Sequence, residues 1–155
     1  MQKEVFSHFN FSERGPIKIL DLGAGSGVIA LELAKSIPTI QLKQIDLIEL
    51  QGEFIPHIKQ NIEACVDKNK IRIFQGSHFD FPFCGQYDLI ICNPPYFFAE
   101  AGRLPNSPNR KICEFYKAGD RERLLNIFTR GLRKSGAGHI LQSNKNSLRS
   151  DLRIC

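Results

Sequence analysis

The feature that most constrains the fold is a short apolar run that ends in a glycine-rich turn. Residues 17–20 (IKIL) have the composition of a strand, and the chain continues with DLGAGSG over residues 21–27. Residues 28–36 then have helical composition. A strand, a glycine turn and a helix in this order form the first βα unit of a nucleotide-binding sheet. Glycines let the backbone approach a ligand closely, and the helix N-terminus offers free N–H groups.

The carboxylate that opens this turn indicates which ligand it suits. Asp21 stands two residues before Gly23, where an anion would oppose a pyrophosphate group. An acidic side chain suits instead the ammonium of a bound amino acid moiety. We therefore expect Asp21, Gly23, Gly25 and Gly27 to line a small-molecule site beyond the first strand.

A second apolar run ends in a proline-rich segment. Residues 89–92 (LIIC) predict a strand buried on both faces, followed at once by Asn93, Pro94, Pro95 and Tyr96. Two consecutive prolines fix two φ angles and remove two N–H donors. The segment is therefore a stiff rim at a strand's carboxyl end, the place where open α/β sheets bind ligands.

The groups on this rim suit the activation of an amine on a planar ring or an amide. The lone pair of such an amine is delocalised, so the amine is a poor nucleophile. Two acceptors, the Asn93 side-chain oxygen and the Pro94 carbonyl, would favour a pyramidal nitrogen and stabilise its developing positive charge. The rings of Tyr96 and Phe97 would stack on the flat substrate.

The remaining strands predict an α/β domain with a mostly parallel, twisted sheet and helices on both faces. Further strands are expected over residues 42–50, over residues 71–74 and from His139 onward. About five strands can therefore be counted in a single domain over residues 1–155. We expect the fifth strand to be a bare edge of the sheet.

Helices are expected between these strands and at the end of the chain. After the helix over residues 28–36, a second helix is expected over residues 53–66, behind the second strand. An amphipathic helix is expected over residues 118–134. Asp120 is the expected N-cap of the amphipathic helix and Gly136 the residue that ends it. Another helix is expected over residues 147–154.

Two acidic residues on the second strand compete for one role. A carboxylate at the end of this strand accepts hydrogen bonds from ribose hydroxyls in nucleotide-binding sheets. Period-2 alternation places Asp46 and Glu49 on opposite faces, so only one of them can serve. We predict Glu49, because Gln51 and Gly52 mark the end of the strand. Asp46 is then a polar residue that needs its own partner.

Together, DLGAGSG and the later NPPY resemble the S-adenosylmethionine-dependent methyltransferases that modify exocyclic or amide nitrogens. This resemblance implies the Rossmann-like class I methyltransferase fold and S-adenosylmethionine as the cofactor. That fold has seven strands, so the resemblance also implies that N- and C-terminal parts of it are missing. An aspartate that contacts the cofactor's adenine amine commonly stands in these enzymes where this chain has Ser77. Asp80 is a second candidate for that contact.

The segment after NPPY narrows the resemblance. Gly102, Arg103, Ser107-Pro108 and Arg110 are similar to the tail of the tRNA adenine methyltransferases that act on an anticodon-loop adenosine of valine tRNA. The likeness runs from about residue 17 to 142. It implies an RNA substrate, most simply the anticodon region of a tRNA, with Tyr96 and Phe97 on the base. Arg103, Arg110 and Lys111, followed by Arg121 and Arg123, are then expected to contact its phosphates.

Three alternatives remain open at this point. A protein glutamine methyltransferase of release factors shares NPPY, because an amide nitrogen poses the same chemical problem. A guanine-modifying ribosomal RNA enzyme is another alternative. The third is a truncated cofactor-binding module that contacts RNA without turnover. Charge favours a nucleic acid partner, because residues 1–102 hold 9 Lys/Arg and 12 Asp/Glu, whereas residues 103–155 hold 12 and 4.

Composition indicates the redox state of the cysteines, the cellular location and whether metal or membrane contacts are expected. The five cysteines are odd in number and form no CxxC pair, which indicates reduced thiols, no zinc site and a cytoplasmic location. We expect the four histidines to be surface or capping residues, and we expect no metal site. No apolar run approaches membrane-spanning length, so no membrane contact is expected.

Overall fold

The computed structural model describes residues 15–65, 67–94, 97–98, 115–116, 119–141 and 150–153, the last strand and the two short pairs as backbone only. The strands are β1 (Ile17–Leu22), β2 (Leu42–Glu49), β3 (Ile71–Gln75), β4 (Tyr87–Cys92), β5 (Phe97–Phe98), β6 (Phe115–Tyr116), β7 (Leu132–Ile140) and β8 (Ser150–Arg153). The helices are α1 (Val28–Lys35), α2 (Ile55–Glu63) and α3 (Asp120–Gly131).

The main sheet has the order β3-β2-β1-β4-β7-β8, and its first five strands are parallel. This is the expected α/β fold with five parallel strands, and a sixth strand, β8, runs antiparallel to β7. The chain winds outward from β1 to β3 and then returns to the other side of β1 with β4. The topological switch point, where ligands bind in open sheets, therefore lies between β1 and β4.

Two apolar layers hold the sheet between its helices. On one face, α1 and α2 bury Leu31 and Ile58 against the odd-numbered side chains of β1, such as Ile19. On the other face, α3 buries Leu124 and Phe128 against side chains such as Ile90. Every residue of β4 is buried, as its uninterrupted apolar run predicted. Because the described helices cover both faces of the sheet, a ligand is expected at the ends of the strands.

The fold corrects three predictions about the end of the chain. Residues 150–153 are a strand rather than part of a helix, and they pair with Ala137 to Ile140 of β7. The fifth strand is therefore not a bare edge. Helix α3 ends at Gly131 rather than near Gly136, because Leu132 already pairs with Tyr87 at the start of β7.

The structure also corrects the predicted N-cap of α3 and the predicted exposure of one histidine. Gly119, with φ 84°, is the N-cap of α3, and Asp120 is its first helical residue. A positive φ explains why glycine stands there. His57 is exposed and His78 is half-buried, but His139 on β7 is only 6% exposed, which contradicts its prediction as a surface or capping residue. His139 pairs with Ile91 on one side and with Asp151 on the other, so it lies inside the sheet rather than at its margin.

Candidate active site

The strand ends at the switch point bring together the two motifs of the sequence. Leu22, the last residue of β1, is in register with Cys92, the last residue of β4. The glycine turn and Asn93 therefore leave neighbouring strands at the same level, about 5 Å apart. On the other side of β1, Leu22 is in register with Ile48, which places Glu49 beside the start of the turn.

Backbone hydrogen bonds fix the glycine turn to the end of β2. The N–H groups of Gly23 and Ala24 donate to the Ile48 carbonyl at 2.9 and 3.0 Å. Gly27, with φ 76°, is the N-cap of α1. A Cβ placed on this residue would lie 3.3 Å from the Leu47 side chain, so a larger residue would be crowded there. From α2, the Asn61 side-chain amide donates to the Ser26 carbonyl at 2.9 Å. The turn is thus held by both neighbouring elements before any ligand arrives.

Glu49 is held rigidly at the end of β2. Its Oε2 accepts a hydrogen bond from the Gly25 N–H and its Oε1 accepts one from the Gln51 N–H, each at 2.7 Å. The residue is 4% exposed. Each carboxylate oxygen keeps a further lone pair, so a hydroxyl donor can still bind it. The leucine that follows, Leu50, is 49% exposed at this edge.

Asp46 has a different environment in the middle of the same strand. It is fully buried and accepts hydrogen bonds from Arg72 at 2.8 Å, Tyr87 at 2.6 Å and Gln44 at 2.6 Å. Burial by itself would raise the pKa of Asp46, but the hydrogen bonds from these partners outweigh it and lower the pKa below its usual range. Burial and the bond to Asp46 raise the pKa of the Tyr87 hydroxyl. Asp46 is therefore part of a structural network.

Asp21 is a buried carboxylate at the base of the turn. It is 1% exposed, and within the described part of the chain its Oδ2 has no hydrogen-bond partner. Burial raises the pKa of Asp21 to about 7; a hydrogen bond from the Ala30 N–H lowers it and the nearby Glu49 carboxylate raises it further. A buried carboxyl group with a free oxygen favours a cationic partner from outside the chain.

Ser77 follows β3 and its hydroxyl has a local role. It caps a short 3-10 turn (His78–Asp80), in which its Oγ accepts a hydrogen bond from the Phe79 N–H at 3.1 Å. The preceding Gly76 N–H donates to the Glu49 carbonyl at 2.9 Å. The turn that contains Ser77 is therefore attached to Glu49, whereas the side chain of Asp80 is exposed.

The described part of the NPPY segment comprises Asn93 and Pro94. Asn93 is exposed at the end of β4 and Pro94 is buried. The other residues predicted to bind substrate or to act with Asn93 lie outside the described residues, or are described as backbone only in the case of Phe97: Pro95, Tyr96, Arg103, Arg110 and Lys111. The backbone of Phe97 pairs in parallel with that of Phe115, so β5 and β6 bring the two ends of the intervening segment together.

The described arginines of α3 and of the start of β7 divide between the two ends of the strands. Arg121 and Arg123 stand in its first turn, on the side of the candidate site. Arg130 stands in its last turn, where its carbonyl accepts a hydrogen bond from Gly85 before β4 begins. Arg133 forms an ion pair with the buried Asp88. Among the cations after NPPY that the structure describes, Arg130 and Arg133 therefore lie away from the site.

No group of three or more His, Cys, Asp or Glu residues in the described part of the protein could hold a metal ion. No helix in the described ranges is long and apolar enough to cross a bilayer.

The described residues have the Rossmann-like fold of the class I methyltransferases. A solved structure from Haemophilus influenzae with a provisional methylase name superposes with a TM-score of 0.64 at 17% identity, covering 96% of this chain and 81% of that one. Protein arginine methyltransferase 10 of Arabidopsis thaliana gives a TM-score of 0.61 at 18% identity, covering 88% and 33%. At these identities the likeness is one of fold.

The chain belongs to the Methyltransferase small domain family, which it matches over residues 6–104. A tRNA1(Val) (adenine(37)-N6)-methyltransferase of Tolumonas auensis is 42% identical over 84 residues, 54% of this chain and 34% of the relative. The protein of the same name from Dyadobacter fermentans is 31% identical over 124 residues, 80% and 50%. The chain spans half or less of the length of these two relatives.

Substitutions of Glu49 and Asp46 should have different effects. Glu49→Ala should weaken cofactor binding by about 1.5–3 kcal/mol, the value of a hydrogen bond to a charged group. Asp46→Asn should leave that affinity unchanged and lower the melting temperature, because it weakens the pairing with Arg72 and Tyr87. Calorimetric titration and thermal unfolding measure the two effects. The assignment of Glu49 would be wrong if Asp46→Asn alone reduced the affinity.

Asp21 should make stability depend on pH in an unusual direction. Its folded pKa of about 7 exceeds the ordinary 3.8, so the free energy of unfolding falls as pH rises from 4 and levels off above 7. At about 1.4 kcal/mol per pH unit the full effect is about 4 kcal/mol. Denaturant titrations of Asp21→Asn should lack this component, and a pH dependence parallel to that of the parent protein would contradict the prediction.

Proposed function

We propose that this chain binds S-adenosylmethionine at the glycine turn and transfers its methyl group to the exocyclic amine of an adenine in tRNA. The observation that carries the proposal is the register Ile48–Leu22–Cys92, which brings Glu49, the glycine turn and Asn93 to adjacent strand ends. Relatives named tRNA1(Val) (adenine(37)-N6)-methyltransferase support adenine in tRNA as the target. A tRNA substrate implies a reaction in the cytoplasm.

The residues at the edge fit this cofactor. The unpartnered Oδ2 of Asp21 suits the ammonium of the methionine moiety. Within the described residues and apart from the adjoining ones, no atom lies within 4 Å of a Cβ added at Gly23 or Gly25, so the space above the turn is open to a ligand. Glu49 would accept the ribose hydroxyls, and Leu50 with the turn at Ser77 would contact the adenine. Bound S-adenosylmethionine supplies a methyl group on a sulfonium sulfur.

Asn93 and Pro94 would prepare the substrate amine. Their two oxygens would accept hydrogen bonds from the two N–H groups of the amine and draw its lone pair out of conjugation with the ring. That lone pair would then be available to accept the methyl group that bound S-adenosylmethionine supplies, with the sulfonium sulfur as the leaving group. The nitrogen is then cationic, so its extra proton is lost to water and no general base is needed. Asn93 therefore acts mainly in the transition state.

The substrate adenine must be unpaired or flipped out of a helix to reach Asn93. Tyr96 and Phe97 follow Asn93 directly along the chain, so we assign them to the surface on which the base stacks. Phosphates next to the base would meet the cations that follow the catalytic strand, Arg103, Arg110 and Lys111, together with Arg121 at the start of α3.

Salt dependence tests the substrate assignment. Each phosphate contact contributes a slope of about −0.7 in log affinity against log salt for a single strand. Binding of a tRNA anticodon stem-loop should therefore weaken several-fold when salt is doubled, and Arg103→Gln with Arg110→Gln should flatten the slope by about 1.4. Arg130→Gln, at the opposite end of α3, is the matched control and should leave the slope unchanged.

A parallel assay decides the reaction. The parent protein with S-adenosylmethionine should methylate adenine in tRNA, as mass mapping of the nucleosides would show. A release-factor peptide with its glutamine loop should remain unmodified and should bind with little salt dependence. Methylation of that peptide and not of tRNA would replace this proposal with the glutamine reaction. If the chain bound the cofactor but methylated neither substrate, it would be a cofactor-binding module without turnover.

A further inference from the structure

A cluster of four side chains joins α3 to the turn that carries Ser77. The Arg123 guanidinium lies over the Phe79 ring, with its Cζ 3.9 Å from the ring centroid. The His78 and Phe79 rings are 4.3 Å apart, and an Arg123 nitrogen lies 3.4 Å from a carboxylate oxygen of Asp120. The contacts bridge residues more than forty positions apart in the chain.

The turn is held at its two ends by different elements. At its start, the Gly76 N–H donates to the Glu49 carbonyl. At its other end, Phe79 packs against the core cluster that contains Leu124 and Phe128 of α3, and Arg123 covers its outer face. The buried residues of α3 fix the position of this helix. The contact of Arg123 with Phe79 therefore restrains the turn relative to a rigid element.

The geometry of Arg123 differs from that expected of a phosphate ligand. The planar guanidinium is stacked on an aromatic ring and lies beside a carboxylate, although 57% of the side chain is exposed. Stacking of this kind depends on the flat guanidinium, which lysine lacks. A residue engaged in this way holds its neighbour in place at modest strength, about 0.5–1 kcal/mol at an exposed position.

We propose that Arg123 is a positioning residue for the cofactor, which by stacking on Phe79 holds the turn at Ser77 against the adenine end of bound S-adenosylmethionine. The inference rests on the proposed cofactor site. Its consequence is that α3, which follows the catalytic segment, is connected to the adenine side of the site. Cofactor affinity then depends on a side chain that does not touch the cofactor.

Calorimetric titration with S-adenosylhomocysteine and with methylthioadenosine tests this inference. Arg123→Ala and Phe79→Leu should each weaken binding of both ligands about 2- to 5-fold. Because they remove the same contact, the double variant should be no weaker than either single variant. Arg123→Lys should behave like Arg123→Ala. Arg130→Ala, an exposed arginine of the same helix, is the control and should bind like the parent.

Kinetics separate positioning from a general loss of structure. Arg123→Ala should raise the KM for the cofactor by the same factor and leave kcat at saturating cofactor unchanged. Unchanged affinity in Arg123→Ala with a flatter RNA salt dependence would overturn the inference and make Arg123 a phosphate ligand. A fall in kcat at saturating cofactor would also contradict it. If the parent protein bound neither ligand, the proposed function itself would be refuted.

Discussion

Asn93→Ala should lower the rate of methyl transfer by about 100- to 1,000-fold, the scale for one preorganised polar group that acts in the transition state. Asn93 is exposed at the end of β4, so truncating its side chain leaves no buried cavity. Cofactor affinity should stay close to that of the parent, because the predicted partner of Asn93 is the substrate amine. Single-turnover rates with tRNA, together with calorimetric titration of the cofactor, measure both quantities.

The pH dependence of the same reaction tests the proposed absence of a general base. At saturating cofactor, kcat of the parent protein should change little with pH, because the proton leaves an already methylated, cationic nitrogen. Cofactor affinity should increase as pH rises through about 7, as Asp21 becomes ionised and able to pair with the ammonium. A kcat that followed the titration of a histidine would contradict this account.

Gly25→Arg should abolish detectable cofactor binding. Apart from the adjoining residues, a Cβ at Gly25 would meet no atom of the described residues within 4 Å, so the new side chain extends into the space assigned to the ligand. The Gly25 N–H also donates to Glu49, the proposed ribose ligand, so the substitution lies next to that residue. Calorimetric titration with S-adenosylhomocysteine measures the loss, and unchanged affinity would remove the turn from the cofactor site.

Backbone strain requires its own control in this experiment. Gly25 has φ 57°, so any substitution there also costs about 1–2 kcal/mol of stability. Gly85 has φ 63° and lies before β4, at the opposite edge of the sheet, where an added Cβ makes only ordinary contacts. Gly85→Arg should therefore lower the melting temperature by a similar amount and keep full cofactor affinity.

Local patterns in the sequence were sufficient for the elements that surround the switch point. The uninterrupted apolar run before Asn93 predicted a strand covered on both faces, and the structure confirms β4 as buried throughout. The strand, glycine turn and helix beginning at Ile17 are also where the pattern placed them. These features follow from hydrophobic periodicity and from the conformational preferences of glycine and proline. Both effects act over a few residues of the chain.

Pairing between strands that are distant in the sequence determined the secondary structure of segments that the local pattern predicted wrongly. Residues 150–153 have helical composition, but pairing with β7 makes them a strand. Leu132 likewise leaves the helical pattern because it pairs with Tyr87. In both cases backbone hydrogen bonds to a remote strand outweigh a weak local preference.

The two acids of β2 show the same division in the candidate site. Alternation along the strand predicted that Asp46 and Glu49 face opposite ways, and the strand end marked by Gln51 and Gly52 favoured Glu49. The partners that occupy Asp46 stand 26 and 41 residues away, at Arg72 and Tyr87. Arg123 over Phe79 had no signal in the sequence at all. Periodicity fixes which side of a strand a residue occupies, whereas only the packed sheet and its helices determine which remote side chain it meets.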